Sequence, residues 1–273
     1  MKGGTHLNLA LYRAMFKPQG KKALNYATGL ALYNLLLIGV YPAISRSTVV
    51  ADLSVNLPNS VKRVFGVTSG SGFDRFEPYV SSQCFGQVWL LVMGIYSIST
   101  ADALIAKLVD QGEMSYLLSS PVGRHEVLAT QVAVLVSGLA EMVLLTELGI
   151  WAEMALFDIP IVIRPYFRLG ILGFALFLAV GAYSLFFSAI FNNEEYTVLS
   201  ASSLTFLCYA LDVFSGLDNR FSWVKNLTIF GWFRPQEVLD GEVPTIQTLA
   251  LFGLSTIFIA LTGYIFNKKD LNV

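Results

Sequence analysis

The chain has 273 residues, of which 55% are hydrophobic and only 14% are charged, and its formal net charge is −1. A soluble domain carries about 25% charged residues, so this composition excludes an ordinary soluble protein and indicates an integral membrane protein. The near-neutral charge does not indicate a nucleic-acid partner. The two cysteines, Cys84 and Cys208, lie in different apolar stretches and predict buried thiols rather than a disulfide framework.

Six stretches of the chain are long and apolar enough to cross a membrane as helices, since a span requires about 20 mostly apolar residues. The second and third exceed that length and are expected to tilt or to project into water, whereas the fifth is short. The sequence therefore predicts an all-α integral membrane protein, with six transmembrane helices in a single domain that covers residues 1–273. The six predicted spans are 26–44, 79–108, 127–157, 169–191, 197–214 and 246–266.

The N-terminal region, 1–23, predicts a separate amphipathic helix before the first span. Thr5 is a suitable N-cap residue, and Pro18 is expected to end the helical pattern. A short helix with one apolar face is typical of a segment that lies in the membrane interface, here on the cytoplasmic side. The apolar positions at helical spacing are Leu7, Leu11, Ala14 and Met15.

Two further segments lie between the predicted spans and have compositions of their own. Residues 45–78 are polar and predict a loop on the outer side. Residues 221–233, within the longer region 215–244, are apolar and aromatic but too short to cross the bilayer. Trp223 and Trp232 suit the headgroup boundary, so this region predicts a re-entrant or interfacial hairpin on the outer side, before the sixth span.

The basic residues predict the orientation of the chain, because Lys and Arg concentrate in cytoplasmic segments close to the spans. Five of them precede the first span, and Lys268 and Lys269 follow the last one. Six spans place both termini on the same side, so both are predicted to be cytoplasmic in a multi-pass protein of the cell membrane. The five N-terminal basic residues are Lys2, Arg13, Lys17, Lys21 and Lys22.

The sequence lacks the familiar motifs for metal-dependent or nucleotide-dependent chemistry. Its two histidines, His6 and His125, do not form the HExxH pattern of a zinc protease. The P-loop pattern GxxxxGK[ST], which would bind ATP, does not occur either. The chain is therefore predicted not to be an enzyme and to hold neither a cofactor nor a metal.

Glu141 falls near the middle of the third predicted span, where a carboxylate costs about 2.5–3.5 kcal/mol and by default suggests a function. Glu147 and Glu153 follow at steps of six residues, which place successive side chains about 120° apart, so the three do not line one path. Glu141 can be a structural residue, neutral or hydrogen-bonded to a neighbouring helix, or it can contact substrate or protons directly. The stretch NNEEY, 192–196, predicts only a solvated turn.

The segment 109–126 joins the second and third predicted spans with the sequence VDQGEMSYLLSSPVGRHE. Its apolar residues recur at helical spacing and predict a short amphipathic helix. Pro121 disfavours helical geometry at Ser120 and can begin the next helix, so a sharp corner is expected there. Such a helix can be a docking face, or it can be a turn held against the membrane. The apolar positions are Met114, Leu117, Leu118 and Val122.

This segment resembles the pattern E-x-x-G-(T/S)-x-x-x-L-L-S-x-P-(V/I)-(S/G)-R, which follows the second span in permease subunits of type-2 ATP-binding-cassette (ABC) exporters. The stretches LPNSVKRVFGV and FNKKDL resemble two further patterns of that family, and the order of elements agrees over almost the whole chain. Asp110, two residues before Gly112 instead of three, stands in place of the usual glutamate, and Glu113 with Met114 replaces the small hydroxyl residue after the glycine. The matching residues are Asp110, Gly112, Leu117, Leu118, Ser119, Pro121, Val122 and Arg124.

The resemblance implies that the chain is a permease that forms a substrate pathway through membrane lipid, together with a second permease that is either identical or different. Two copies of a cytoplasmic ATPase subunit would bind ATP and Mg²⁺, dimerise, and push on a coupling helix of the permease. We call 109–126 the coupling segment, because the resemblance implies that it docks in a cleft of the ATPase. The coupling residues implied are Asp110, Gly112, Met114, Leu117, Leu118, Pro121 and Arg124.

Other functions are open from the residues alone. An ion- or proton-coupled secondary carrier would use Glu141 as its coupling site, although such carriers often contain paired broken helices in two related halves, and the sequence does not show them. A membrane sensor or anchor would assemble with an ATPase without transporting anything. An enzyme that works within the membrane would need a nucleophile, a base or a metal set, and the sequence shows none.

Overall fold

Residues 8–45, 76–119, 122–160, 162–191, 193–216 and 219–268 are described in the computed structural model of the chain. They form α-helices and short 3₁₀ helices, and this part of the chain contains no strand. The helices are α1 (Leu9–Ser45), α2 (Phe76–Gln83), α3 (Gln87–Leu104), α4 (Ala106–Asp110), α5 (Glu113–Ser119), α6 (Arg124–Leu156), α7 (Ile163–Phe191), α8 (Glu194–Ser215), the 3₁₀ helices η1 (Asn219–Leu227) and η2 (Phe230–Trp232), α9 (Pro235–Leu239) and α10 (Thr245–Lys268).

Six helical stretches are long and apolar enough to cross a membrane, and this confirms the prediction of an all-α chain with six spans at the level of length and composition. They correspond to α1, α3 continued by α4, α6, α7, α8 and α10. The fifth, predicted to be short, is a complete helix of 22 residues. Asn193 explains the earlier start, because its side chain accepts a hydrogen bond from the Tyr196 backbone N–H at 3.1 Å and caps α8.

The prediction that Pro18 ends a separate N-terminal helix is wrong. α1 runs without interruption for 37 residues, and Pro18 lies inside it. Asn8 caps it, since its Oδ1 accepts from the backbone N–H groups of Ala10 and Leu11 at 3.1 Å. The predicted cap, Thr5, lies outside the described residues. A proline removes one backbone donor but is tolerated where neighbouring helices hold both halves, and α6 contacts α1 before Pro18 at Tyr12 and after it at Gly20.

The second span is interrupted twice instead of being one helix from 79 to 108. α2 and α3 are separated by a tight turn, in which a Cβ added to Gly86 would lie 1.9 Å from the Ser82 carbonyl oxygen. A glycine is therefore required there. The second interruption, at Ile105, separates α3 from α4. Residues 46–75, which make up most of the predicted outer loop, lie outside the described residues.

The fourth span, α7, is the centre of the bundle and packs against α3, α6, α8 and α10. Small residues make the close approach possible. A Cβ on Gly173 would lie 2.5 Å from the Trp89 ring, and one on Gly181 would lie 3.0 Å from Leu135. In the most apolar window of α7, 83% of the residues are buried, against 11% in α8 and 22% in α10. The two last spans therefore lie at the periphery of the chain.

The aromatic segment 221–233 forms 3₁₀ helices of nine and three residues, neither of which can cross a bilayer. Its first half is exposed at Trp223, whereas its second half is buried. Phe233 stacks on Trp89 of α3 with ring centroids 5.5 Å apart, and Phe230 meets Tyr209 of α8 edge to face at 5.7 Å. The segment is therefore held against the ends of α3 and α8 by its aromatic rings.

Candidate functional site

The coupling segment folds as α4, a sharp corner, and α5, before α6 begins at Arg124. Gly112 makes the corner, with φ at +75°, a conformation that favours glycine. This corner turns the chain from the second span into the short helix α5, and it lies before that helix, whereas the sequence predicted a corner after it, at Pro121. Pro121, where the sequence predicted the corner, lies outside the described residues, and the structure says nothing of the Leu118 side chain.

Met114 departs from the predicted docking face. Its side chain is 2% exposed and packs in the hydrophobic core of this chain, and Leu117 is half-buried against the same core. Tyr116, in contrast, is 80% exposed, and Glu113 is exposed beside it. Met114 and Leu117 therefore face the bundle, and among the described side chains of α5 the surface presented to solvent is centred on Tyr116. The apolar spacing in the sequence could not show against which body these residues pack.

The turn between α7 and α8 touches the coupling segment, although the sequence predicted only a solvated turn there. Asn193 Nδ2 donates to Asp110 Oδ1 at 3.3 Å, and the Glu194 backbone N–H donates to Asp110 Oδ2 at 3.5 Å. Lys107 forms an ion pair with Glu194 at 3.2 Å. A carboxylate beside the first turn of a helix is favourable, so Asp110 links the end of α4 to the start of α8.

These polar contacts position the segment more than they stabilise it. Both members of the Lys107–Glu194 pair are 42% exposed, and pairs of this kind contribute about 0–1 kcal/mol. Their effect is to position α4, because they hold it beside the turn that joins α7 to α8. The signal in the sequence was the capping pattern Asn-Glu-Glu, which marks a helix start but not its neighbour.

The interruption between α3 and α4 is supported by side chains from two other helices. Ser188 of α7 accepts a hydrogen bond from the Ala106 backbone N–H at 2.7 Å, and Gln131 of α6 donates its amide to the Leu104 carbonyl. Both side chains are fully buried, as is Ile105 between them. A broken helix inside a bundle is stable only when its freed backbone groups are hydrogen-bonded. Ser188 and Gln131 supply those bonds, and no sequence pattern indicated them.

Two of the three glutamates on α6 face different helices. Glu141 approaches α1, since its Oε2 would lie 3.3 Å from a Cβ on Gly20, whereas Glu147 lies against Gly170 of α7. Glu147 and Glu153 are 4% and 6% exposed. Buried carboxyl oxygens on all three have no hydrogen-bond partner among the described residues. Of the two states predicted for a structural Glu141, neutral or hydrogen-bonded to a neighbouring helix, the second is not formed by its Oε2.

In the part of the chain that the structure describes, no group of three or more His, Cys, Asp or Glu side chains is arranged to hold a metal ion. Cys84 and Cys208 are both free thiols, the first buried and the second half-buried. No protein-family model and no curated protein matches this chain. The function is therefore argued from the residues and contacts described above.

Proposed function

We propose that the chain is the membrane-embedded permease subunit of an ABC exporter, and that the coupling segment docks onto a separate ATPase subunit. One observation carries the proposal: the short helix α5 lies outside the long spans and is joined through the corner at Gly112 to α4, the end of the second span, at the position where the resemblance places a coupling helix. Hydrogen bonds and an ion pair tie this corner to the start of the fifth span. A push on α5 would therefore reach both the second and the fifth spans.

The proposal assigns the coupling residues two roles. Asp110, Gly112 and Met114 hold the segment to this chain, through the turn at α8, the corner and the core. The face around Tyr116 contacts the ATPase, together with Leu118 and the chain beyond it as far as Arg124. The ATPase would bind ATP and Mg²⁺, and two permeases and two ATPase subunits would form the exporter.

The proposal also sets an orientation. Both termini and the coupling segment lie in the cytoplasm of a cell-membrane protein, and the aromatic segment with α9 lies on the outer side. The N-terminal part of α1, before about Asn25, runs close to the cytoplasmic interface, since it carries exposed Arg13, Lys17 and Lys21. This replaces a separate interfacial helix with one long helix that enters the bilayer obliquely.

The test is co-purification of an ATPase with the tagged chain in mild detergent, followed by mass spectrometry, ATP hydrolysis and substrate efflux. Tyr116→Asp is the sharpest variant, because the side chain is exposed and its loss leaves the core intact. A large apolar contact that is fully buried contributes about 1.5–3 kcal/mol, so assembly should weaken roughly tenfold or more.

Trp223→Asp is the matched control, since Trp223 is an exposed aromatic residue in η1, far along the chain from α5. It should leave ATPase recruitment unchanged. If Tyr116→Asp recruits the ATPase and supports efflux like the unaltered chain, α5 is not the docking element.

The buried glutamates favour a second function, a proton-coupled carrier. Ionisable groups inside a membrane are expensive and commonly belong to proton relays, and Glu147 is nearly inaccessible in the bundle. The two functions differ in their energy source. Efflux that stops when a protonophore collapses the proton gradient, but continues when cellular ATP is depleted, would favour the carrier over the exporter.

A further inference from the structure

An open groove of about 370 Å³ lies between α1 and α3, and its walls are almost entirely apolar. Gly29 borders this open space, since a Cβ at that position would meet nothing within 4 Å. The residues that shape the groove are Asn25, Tyr26, Gly29 and Tyr33 from α1 and Val88 and Val92 from α3.

A lysine closes the N-terminal end of this groove. Lys22 lies one turn before Tyr26, and its Nζ donates a hydrogen bond to Ser99 Oγ of α3 at 2.7 Å. Ser99 is two turns beyond Val92, so the contact joins the two helices just past the groove. The ammonium group also lies 5.8 Å from the centre of the Tyr96 ring. A positive charge is therefore fixed where the apolar groove ends.

A stripe of basic residues leads along α1 to the same point. Arg13, Lys17 and Lys21 are exposed and follow each other at steps of four, and the next step is Asn25 at the groove. Each step advances about 6 Å and turns about 40°, so neighbouring members lie side by side. Towards the far end of the groove and past it, the exposed residues of α1 are apolar: Leu32 and Leu36 are 59% and 70% exposed.

Cations at one end and an apolar groove at the other complement an amphiphile with a negative head. We propose that an anionic phospholipid binds here, with its headgroup on Lys17, Lys21 and Lys22 and one acyl chain along the groove past Gly29. Basic residues beside a span attract anionic lipid, about 1 kcal/mol for each Lys or Arg, and a zwitterionic lipid lacks that attraction. The inference requires that the chain spans a membrane, but it is independent of any ATPase.

The experiment uses the full chain in detergent and a phosphatidylglycerol that carries a photoreactive diazirine in its acyl chain. After illumination, the labelled peptides are identified by mass spectrometry. We expect labels on the α1 and α3 residues of the groove, competition by unlabelled phosphatidylglycerol, and weaker labelling by the matched phosphatidylcholine probe. Equal labelling by the two lipids, or labels spread over the exposed faces of α8 and α10, would overturn the proposal.

Two sets of variants test separately how the groove and the basic residues contribute to lipid binding. Gly29→Leu should fill the groove and abolish labelling there, whereas Gly253→Leu, at an equally open glycine on α10, should not change it. Lys17→Gln and Lys21→Gln should each weaken the preference for the anionic lipid roughly fivefold, equivalent to about 1 kcal/mol. Arg164→Gln is the control for charge, since Arg164 is exposed at the start of α7.

Size-exclusion profiles verify that each variant is folded. If Gly29→Leu aggregates, the lysine variants decide the question by themselves. An unchanged lipid preference in the lysine variants, or unchanged labelling in folded Gly29→Leu, contradicts the proposal. Because the experiment measures only lipid binding, its result tests the lipid site independently of ATPase docking.

Discussion

Two buried side chains, Ser188 and Gln131, make the interruption at Ile105 possible. Ser188 accepts a hydrogen bond from the Ala106 backbone N–H, and Gln131 donates one to the Leu104 carbonyl. In a continuous helix these two backbone groups would have bonded to other residues of the same helix. Ile105 is neither glycine nor proline, so nothing in the local sequence marks the interruption. This explains why the predicted second span was one helix: the cause of the break lies on two other helices, 26 or more residues away.

Ser188→Ala should destabilise the protein, because it leaves the buried Ala106 N–H without its acceptor. Such an unsatisfied group costs about 1–3 kcal/mol. Ser184→Ala is the matched control: Ser184 is equally buried one turn earlier on α7, but its hydroxyl donates to the Val180 carbonyl of its own helix, and losing such a bond is nearly neutral. Unfolding of the two variants in the same detergent tests the difference. Equal loss of stability would mean that Ser188 does not support the interruption.

Gly112 is the second residue whose backbone sets the site. Gly112→Ala should cost about 1 kcal/mol or more, because alanine at a positive φ is strained. Gly112→Asn should be milder, since asparagine tolerates this region. We expect the alanine variant to recruit the ATPase but to hydrolyse ATP with reduced efflux, because the direction of α5 changes while its surface remains.

Gly253→Ala is the control, since Gly253 lies on α10, outside the coupling segment, and a Cβ at that position would meet nothing within 4 Å. Its ATPase activity and efflux should match those of the unaltered chain. Tight coupling of ATP hydrolysis to efflux in Gly112→Ala would show that the corner has no role in transmission.

Among the elements, α1 differs most from its prediction. From the local sequence, Pro18 was predicted to end the N-terminal helix. The helix instead continues, because residues before and after Pro18 pack on α6. Tyr12, six residues before the proline, donates its hydroxyl to Ser137 Oγ of α6 at 2.8 Å, and Gly39 lies against Phe157 at the other end. Tertiary contacts outweigh the local preference, and a single sequence does not show them.

Spin labels at Arg13 and Leu32, both exposed on α1, test this continuity. A continuous helix separates positions 19 residues apart by about 29 Å. A right-angled corner at Pro18 would shorten the separation to about 22 Å by the same rise per residue. Double electron–electron resonance should give the longer distance, and a distribution centred on the shorter one would restore the separate interfacial helix.

At the scale of the whole molecule, hydropathy was sufficient to find the spans and their order. A helix that is buried in lipid and a helix that is buried in the bundle both need a long run of apolar residues, so hydropathy located all six. The signal does not distinguish a central helix from a peripheral one: α7 and α10 are similarly apolar, yet only α7 is enclosed. The candidate site was predicted in part for the same reason. Its segment was found, but its contacts with Asn193 and Glu194 required the packed fold.

Topology follows from the orientation argument and is testable on exposed positions at the two ends. One cysteine can be added at Glu113, in α5, or at Glu242, after α9, since both positions are exposed to solvent. An impermeant thiol reagent should label the Glu242→Cys variant in intact cells and the Glu113→Cys variant only after permeabilisation. The unaltered chain, with Cys84 and Cys208, gives the background. The reverse labelling pattern would show that the orientation is opposite to the one proposed.

The bonds at Ile105 also constrain the order in which the protein is built. Ala106 is synthesised 82 residues before its acceptor Ser188, an interval of roughly 4–16 s at 5–20 residues per second. During that interval the nascent second span lacks the group that stabilises its break in the finished bundle. It should therefore enter the bilayer as one continuous helix and bend only when the fourth span arrives, so that the shape of an early segment is completed by a late one.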